Sequence, residues 1–369
     1  RRAIVEDLDD TLVIEAAAGT GKTTELVNRI LRVLETGRAT VTEIIAVTFT
    51  EKAAGELKLR LREALEVERA NASGDAVERL ELALETLEDA HVNTIHGFCA
   101  DILRERPVEA RVDAMFTVLT DAQSDALYTR AFRAWLQDAL RDPPEVLQRA
   151  LGRTSSPSFG DMEDGPIDRL RRAGPQLAEW RDFPEAWQRP PFDLHRELDR
   201  LITALHKLAA LTKDPSSPRD NLYLDVDAVR RLSRQIELEQ SSGAPDPVGW
   251  EGRLIHLLRD RAFSRPRKGS GYKFGKDVTR TEVLLARDSL FADLQQFKRD
   301  ADADLAAGLQ TELAGATARY QALKLSAGAL DYADLLTRAR DLIRSDENVR
   351  RHLQQKFSRI FVDEFQDTD

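Results

Sequence analysis

Residues 16–24 read Ala16-Ala17-Ala18-Gly19-Thr20-Gly21-Lys22-Thr23-Thr24. The stretch fits the phosphate-binding loop pattern, with alanine where the pattern as usually written has its first glycine. An apolar strand candidate, Leu12-Val13-Ile14, precedes it, and a helical pattern with Leu26, Ile30 and Leu34 follows. Strand, glycine turn and helix are the context that gives such a loop meaning. Gly19 and Gly21 let backbone N–H groups close around an anion at a helix N-terminus, where the partial positive charge favours it. Lys22 is placed to reach the outer phosphates of a nucleotide and the Thr23 hydroxyl to meet Mg²⁺. The bland reading is a glycine turn before an ordinary helix.

A second piece comes at the far end. Arg359-Ile360-Phe361-Val362 reads as a buried strand delivering Asp363 and Glu364 to its C-terminal tip. Asp363 would hold the metal, and Glu364 would polarise the water that attacks the γ-phosphate. The bland reading here is an acidic turn at a strand end. Together with the loop, the pair describes one nucleotide site assembled from both ends of the chain.

Between them, Ile44-Ile45-Ala46-Val47 predicts a short buried strand running into Thr48-Phe49-Thr50. A helix from Glu51 then carries Ala53, Ala54, Leu57, Leu61 and Leu65 on one side. Open α/β sheets place ligands at the C-terminal ends of their strands. Phe49 there either stacks on a base or covers the helix as a core aromatic. The charged helical stretch 75–90 reads as a solvated face over Leu80, Leu84 and Leu87. His91 to Cys99 is strand-like and then helical, with Thr94 as N-cap and His96 and Phe98 at the junction. His96 is either a hydrogen-bonded structural histidine or a ligand contact. Met115 to Leu119 reads as a strand, and Asp121 to Leu140 as a helix packing Leu127, Phe132, Trp135 and Leu136.

From there to about residue 326 amphipathic segments alternate with proline and glycine clusters, without alternating strand runs, and predict a helical insertion. Inside it, Arg261, Arg265, Arg267, Lys268, Lys273, Lys276 and Arg280 are interleaved with Phe263, Tyr272 and Phe274. That loop is either a phosphate-backbone contact or a solvated charge run. Ala329 to Leu336 starts a further helix, continued by Ala339 and Ile343.

At 369 residues the chain is long enough for two domains or subdomains. With 54 Lys plus Arg against 64 Asp plus Glu, the net charge is −10, which excludes a wholly basic nucleic-acid coat but not local basic patches. One cysteine, Cys99, rules out an intrachain disulfide and makes a reducing, cytoplasmic interior the simpler compartment. Cys99 is expected to be a small buried residue. No apolar run approaches a membrane span, so a soluble protein with no membrane partner is expected. The chain has no initiator methionine and stops just after an acidic motif, as a fragment would.

Taken together, A-A-A-G-T-G-K-T, A-V-T-F-T-E-K-A-A-G-E-L-K, V-N-T-I-H-G-F-C, L-D-Y-A-D-L-L and F-V-D-E-F-Q-D-T-D resemble the ATP-binding N-terminal half of a UvrD/RecB-type superfamily one DNA helicase. The stretch E-A-R-V-D-A-M-F-T-V-L-T leans towards the RecB and AddA subunits of helicase-nuclease complexes. The resemblance is thin across residues 140–325. It implies an α/β fold: a RecA-like P-loop NTPase parallel sheet (subdomain 1A, residues 1–119 and 329–369) interrupted by a large, mostly α-helical insertion (subdomain 1B, residues 120–328).

It also implies ATP-driven 3′ to 5′ translocation on single-stranded DNA, duplex unwinding, a role in repair or recombination, and a partner subunit with nuclease or helicase activity. ATP and Mg²⁺ would be the cofactors. Ala16 to Thr24 would hold the nucleotide, with Lys22 on phosphate, Thr23 and Asp363 on the metal, Glu364 as base and Gln366 sensing nucleotide state. Thr48, Phe49 and Thr50 match motif Ia, and His96 and Phe98 motif Ib, both single-strand contacts. Arg265, Arg267, Lys268 and Lys273 are the separate DNA-contact candidates of the basic loop.

The adenine-recognising glutamine of that family is missing from the chain, as are motif III, the second RecA-like domain and its arginine fingers. An arginine finger contributes ~10³–10⁵ in rate. The chain alone is therefore expected to bind ATP, hydrolyse it poorly and not unwind DNA. Two competitors remain. A GTPase would need a guanine-reading N-K-x-D motif after a strand, and the sequence has none; a small-molecule kinase would require neither the motif Ia and Ib residues nor so large an insertion. A DNA-binding or scaffolding fragment with a vestigial nucleotide site would not need Lys22, Thr23, Asp363 and Glu364 intact.

Overall fold

The computed structural model describes residues 2–15, 17, 20–153, 165–179, 185–243, 245–267 and 271–365. Of the candidate site residues, Ala16, Ala18, Gly19, Lys268 and Gln366 lie outside the described residues. Two compact units divide the chain, Arg1–Asp121 with Lys324–Asp369, and Ala122–Leu323.

The first unit opens with α1 (Arg2–Glu6) and α2 (Lys22–Glu35), then β1 (Ile44–Thr48), α3 (Glu51–Asn71), α4 (Asp75–Glu85), β2 (His91–Thr94), α5 (Ile95–Glu105), α6 (Pro107–Ala110) and β3 (Thr117–Val118). The second holds α7 (Asp121–Ala139), α8 (Glu145–Gly152), α9 (Pro166–Glu179), α10 (Leu194–Leu211), α11 (Asn221–Asp225), α12 (Asp227–Ser241), α13 (Pro247–Leu257), α14 (Arg261–Ser264) and most of α15 (Arg280–Ser326). The chain then completes the first unit with β4 (Ala329–Leu330), α16 (Tyr332–Ser345), α17 (Glu347–Lys356) and β5 (Arg359–Val362).

The sheet that organises the site has order β2-β1-β5 and is parallel throughout, with Val47 opposite Asn93 on one side and Val362 on the other. All five residues of β1 are buried, as a β-branched strand flanked on both edges should be. Val27, Ile30 and Leu34 of α2 and Leu57, Leu61 and Leu65 of α3 pack with Ile44, Ala46 and Phe361 into one core. Roughly 1.5–3 kcal/mol per fully buried aliphatic side chain makes this core the main support of the sheet. A second parallel pair joins β3 to β4, and Phe116, Leu330, Leu335 and Ala339 pack beside it with Ala100 and Leu103 of α5.

Several expectations need correction. Leu12 to Ile14 form no strand among the described residues, and Val13 is 87% exposed. A strand exists by pairing, and this short run has no ladder. The strand expected over Met115 to Leu119 shrinks to two residues, with Met115 exposed. Ala329 and Leu330 are strand rather than helix, and α16 begins only after Asp331 caps it by accepting from the Asp334 N–H. β5 is not fully buried: Phe361 is covered but Ile360 is 66% exposed, because β5 ends the described sheet order and faces alternate along it. Cys99 is half-buried, with burial pushing its thiol pKa up to about 11, so it is an unreactive thiol.

In the second unit α10, α12, α13 and α15 enclose a core containing Leu201, Leu205, Val229, Ile236, Leu254 and Phe297. Its charged interior is a network around Arg149, whose Nε and Nη2 donate to Glu251 and Nη1 to Asp304. Burial pushes the Arg149 pKa down, but hydrogen bonds to these carboxylates outweigh it and the net direction is up.

Candidate nucleotide and nucleic-acid site

The three parallel strands β1, β2 and β5 end on one edge, where the candidate residues collect. Gly21 precedes α2 with φ 87°, a left-handed conformation open to glycine at little steric cost. It leaves Lys22 and Thr23 on the first turn of α2, where unpaired N–H groups and the helix dipole favour an anion.

At β5, the Asp363 N–H donates to the Val47 carbonyl at 2.9 Å, carrying the ladder with β1 one residue past the strand. Its carboxylate Oδ2 accepts from the Thr23 hydroxyl at 3.1 Å across 340 positions of sequence. Glu364 stands next to it with φ 54°, and its Oε2 lies 3.9 Å from Lys22 Nζ. A non-glycine residue in that region costs roughly 1–2 kcal/mol, a strain that the surrounding contacts at the strand tip must hold. The fold thus brings Lys22, Thr23, Asp363 and Glu364 into one cluster. Ala17 is exposed and its carbonyl accepts from the Thr20 hydroxyl at 2.7 Å; Thr24 follows within α2.

Arg29, which sequence reasoning missed, is 8% exposed and donates to the carbonyls of Ile4, Asp7 and Asp10. It ties the segment entering the loop to the helix leaving it. The available signal was a charge on the apolar stripe of α2, three residues after Leu26 and four before Val33.

At the ends of β1 and β2 a cleft of about 390 Å³ opens, its lining including Phe49, Glu51, Thr94, His96, Arg104 and Tyr332. Phe49 is 55% exposed, so it does not serve as a core aromatic. Thr48 is buried, its hydroxyl turned back to the Thr50 carbonyl, while Thr50 caps α3 by accepting from the Ala53 N–H. His96 meets Tyr332 edge-to-face at 5.1 Å. Burial lowers the His96 pKa, so at neutral pH its ring is uncharged. Thr94 joins the two loops: its hydroxyl accepts from the Gly97 N–H at 3.0 Å and donates to Glu51 Oε1 at 2.8 Å.

Phe98 is not brought together with His96. Two residues apart on a helix they point to different sides, and Phe98 packs instead with His91 and Phe357. Tyr332, Glu51 and Arg104 were not singled out by sequence.

The basic loop in the second unit is partly committed to structure. Arg267 donates through its backbone N–H and its Nε to Asp225, which is 1% exposed. Arg280 pairs with Asp220, and Phe263 and Phe274 are core residues. Arg265, Lys273 and Tyr272 face solvent.

The chain belongs to the UvrD/REP helicase N-terminal domain family, whose model matches residues 1–369. Among similar proteins is an ATP-dependent helicase/nuclease subunit of Alkaliphilus metalliredigens, 24% identical over 397 residues, covering 100% of this chain and 32% of that protein. Its namesake from Geobacillus thermodenitrificans is 25% identical over 420 residues, covering 97% and 32%. That of Bacillus licheniformis is 28% identical over 254 residues, covering 67% and 19%. The chain spans about a third of the length of the first two relatives. Among the described residues, no helix is long and apolar enough to cross a membrane.

Proposed function

We propose that this chain is the ATP-binding part of a DNA motor, with a RecA-like nucleotide subdomain in the first unit and a helical insertion subdomain in the second. The observation that carries the reading is the Thr23 to Asp363 contact of 3.1 Å: two distant motifs converge at the strand edge where such sheets bind ligands. Lys22 binds phosphate, Glu364 orients and polarises the attacking water, and Gln366 follows on the same segment. A hydroxyl and a carboxylate side by side are hard oxygen donors that suit Mg²⁺, which usually takes one or two protein ligands and completes its shell with water and phosphates. Thr23 and Asp363 would hold it, and it would neutralise charge on the nucleotide.

Phe49, His96 and the Thr48–Thr50 and Thr94–Gly97 backbones form the single-strand track, with bases against the rings. Arg265 and Lys273, and Arg267 and Lys268 of the same stretch of sequence, add a phosphate-backbone contact. The full-length protein acts as an ATP-dependent 3′ to 5′ helicase or translocase on single-stranded and duplex DNA, in repair or recombination, together with a helicase/nuclease partner. What its relatives are named supports that reading. This stretch, about a third of those relatives, binds ATP and turns it over slowly by itself.

The test is nucleotide affinity. Lys22→Ala removes a charge-assisted contact worth ~1.5–3 kcal/mol, or roughly 10- to 100-fold in Kd. Equal ATP affinities for the two proteins would return the site to a vestigial loop.

A further inference from the structure

The cleft at the ends of β1 and β2 holds one group that a general DNA track does not need. Glu51 lines it beside three rings, Phe49, His96 and Tyr332. The cleft also carries one cation, Arg104, which suits a phosphate; the Glu51 carboxylate repels phosphate and suits the donor edge of a base instead. Its position is fixed: Oε1 accepts from the Thr94 hydroxyl at 2.8 Å, and that hydroxyl is itself held by the Gly97 N–H at 3.0 Å. Thr94 is 5% exposed and cannot swing away. Glu51 is exposed, and among the described residues this is the one side-chain hydrogen bond it accepts, so its other lone pairs face solvent and are open to the donors of a base.

We propose that Glu51 makes this cleft selective among unpaired bases, favouring those with exocyclic amino donors (cytosine and adenine, and guanine most of all) over thymine. The proposal rests on the reading of the cleft as a single-strand track. The chemistry follows from the base edges. A carboxylate accepts from cytosine N4, adenine N6 and the adjacent N1–H and N2–H of guanine. Thymine offers one N3–H flanked by two carbonyl oxygens, which repel the carboxylate. Stacking on the aromatic walls tolerates every base, so the rings supply affinity and Glu51 supplies the difference.

The experiment compares binding of fluorescent oligodeoxycytidine and oligodeoxythymidine of equal length to the 369-residue chain, wild type, Glu51→Gln and Phe49→Ala. For wild type, cytidine binding is expected to be about 5-fold tighter per site, the low end for a side-chain contact to a base edge. In Glu51→Gln the preference should collapse, because an amide both donates and accepts and so meets thymine O4 as readily. ATP affinity should be unchanged in that variant. Phe49→Ala should weaken both oligonucleotides alike.

Equal wild-type affinities, or a preference that survives Glu51→Gln, overturn the selectivity while a Phe49→Ala loss keeps the track. Should Phe49→Ala leave both affinities unchanged, the track reading and the selectivity built on it both fall. A guanine-to-hypoxanthine replacement in a thymidine oligomer is a second measurement: loss of the N2 amino group should weaken wild type and not Glu51→Gln, and equal weakening of both would also overturn the proposal.

Discussion

Thr94→Val is the sharpest perturbation of the strand-end loops, because one buried hydroxyl serves two elements. Valine keeps the β-branched shape, so no cavity opens, and the 5% exposure means no water replaces the lost oxygen. The N-cap contact to Gly97 N–H, 3.0 Å long, contributes about 1 kcal/mol. The 2.8 Å bond to Glu51 Oε1 would contribute more between buried partners, but Glu51 is exposed, and about 0.5–1 kcal/mol is the reasonable share after screening. The sum is a destabilisation of about 2 kcal/mol, confined to the first unit.

The tryptophans offer a way to see that confinement. Trp135, Trp187 and Trp250 lie in the second unit, and position 180, the fourth tryptophan, falls within the same span of sequence, so no tryptophan belongs to the sequence of the first unit and their fluorescence reports on the second. In urea, the tryptophan transition should hardly move, while hydrogen exchange over residues 95–105 should speed up by roughly 30-fold, the equivalent of that free energy. Single-strand binding should weaken and ATP affinity hold, and Thr94→Ser, which keeps both contacts, should restore exchange and binding. Unchanged protection of α5 in Thr94→Val would refute the assignment of both loops to this hydroxyl.

Two further outcomes follow from the ion pairs. Glu364→Gln should leave ATP affinity within about fivefold, because a 3.9 Å contact between side chains 27% and 41% exposed is worth ~0–1 kcal/mol. Turnover should fall ~10²–10⁴-fold if Glu364 polarises the water, and unchanged turnover in a phosphate-release assay would remove it from that role. In the second unit, Arg149→Met strands Glu251, 1% exposed on its side chain and left with Arg153. Breaking a buried pair costs ~3–5 kcal/mol, and the remaining Arg153 places the loss near the lower figure. Here the tryptophan transition should shift, and a shift under about 1 kcal/mol would show the network to be solvent-relaxed.

What could be read in advance divides along physical lines. β1 was legible because five consecutive apolar or β-branched residues have few other solutions, and α3 because its leucines recur at helical spacing. The convergence of Lys22 and Thr23 with Asp363 and Glu364 was legible only as chemistry: no local pattern reports that residues 340 apart touch, but a phosphate loop and a strand-end carboxylate pair need each other. Leu12 to Ile14 failed because apolar character is a property of residues, whereas a strand is a property of a pair.

The instructive miss is Tyr332. Phe49 and His96 were found by one rule, that side chains just past the C-terminal end of a parallel strand face the ligand edge. Ala329 and Leu330 read as the start of a helix, since alanine and leucine are both good helix formers and a two-residue strand has no periodicity to detect. Once they pair with Thr117 and Val118, Asp331 becomes a cap and Tyr332 the first residue beyond it, again just past the C-terminal end of a parallel strand. The ring then falls where the rule puts it, 5.1 Å from His96 across the cleft. The reach of that rule was limited by strand recognition, which depends on partners that lie hundreds of residues away.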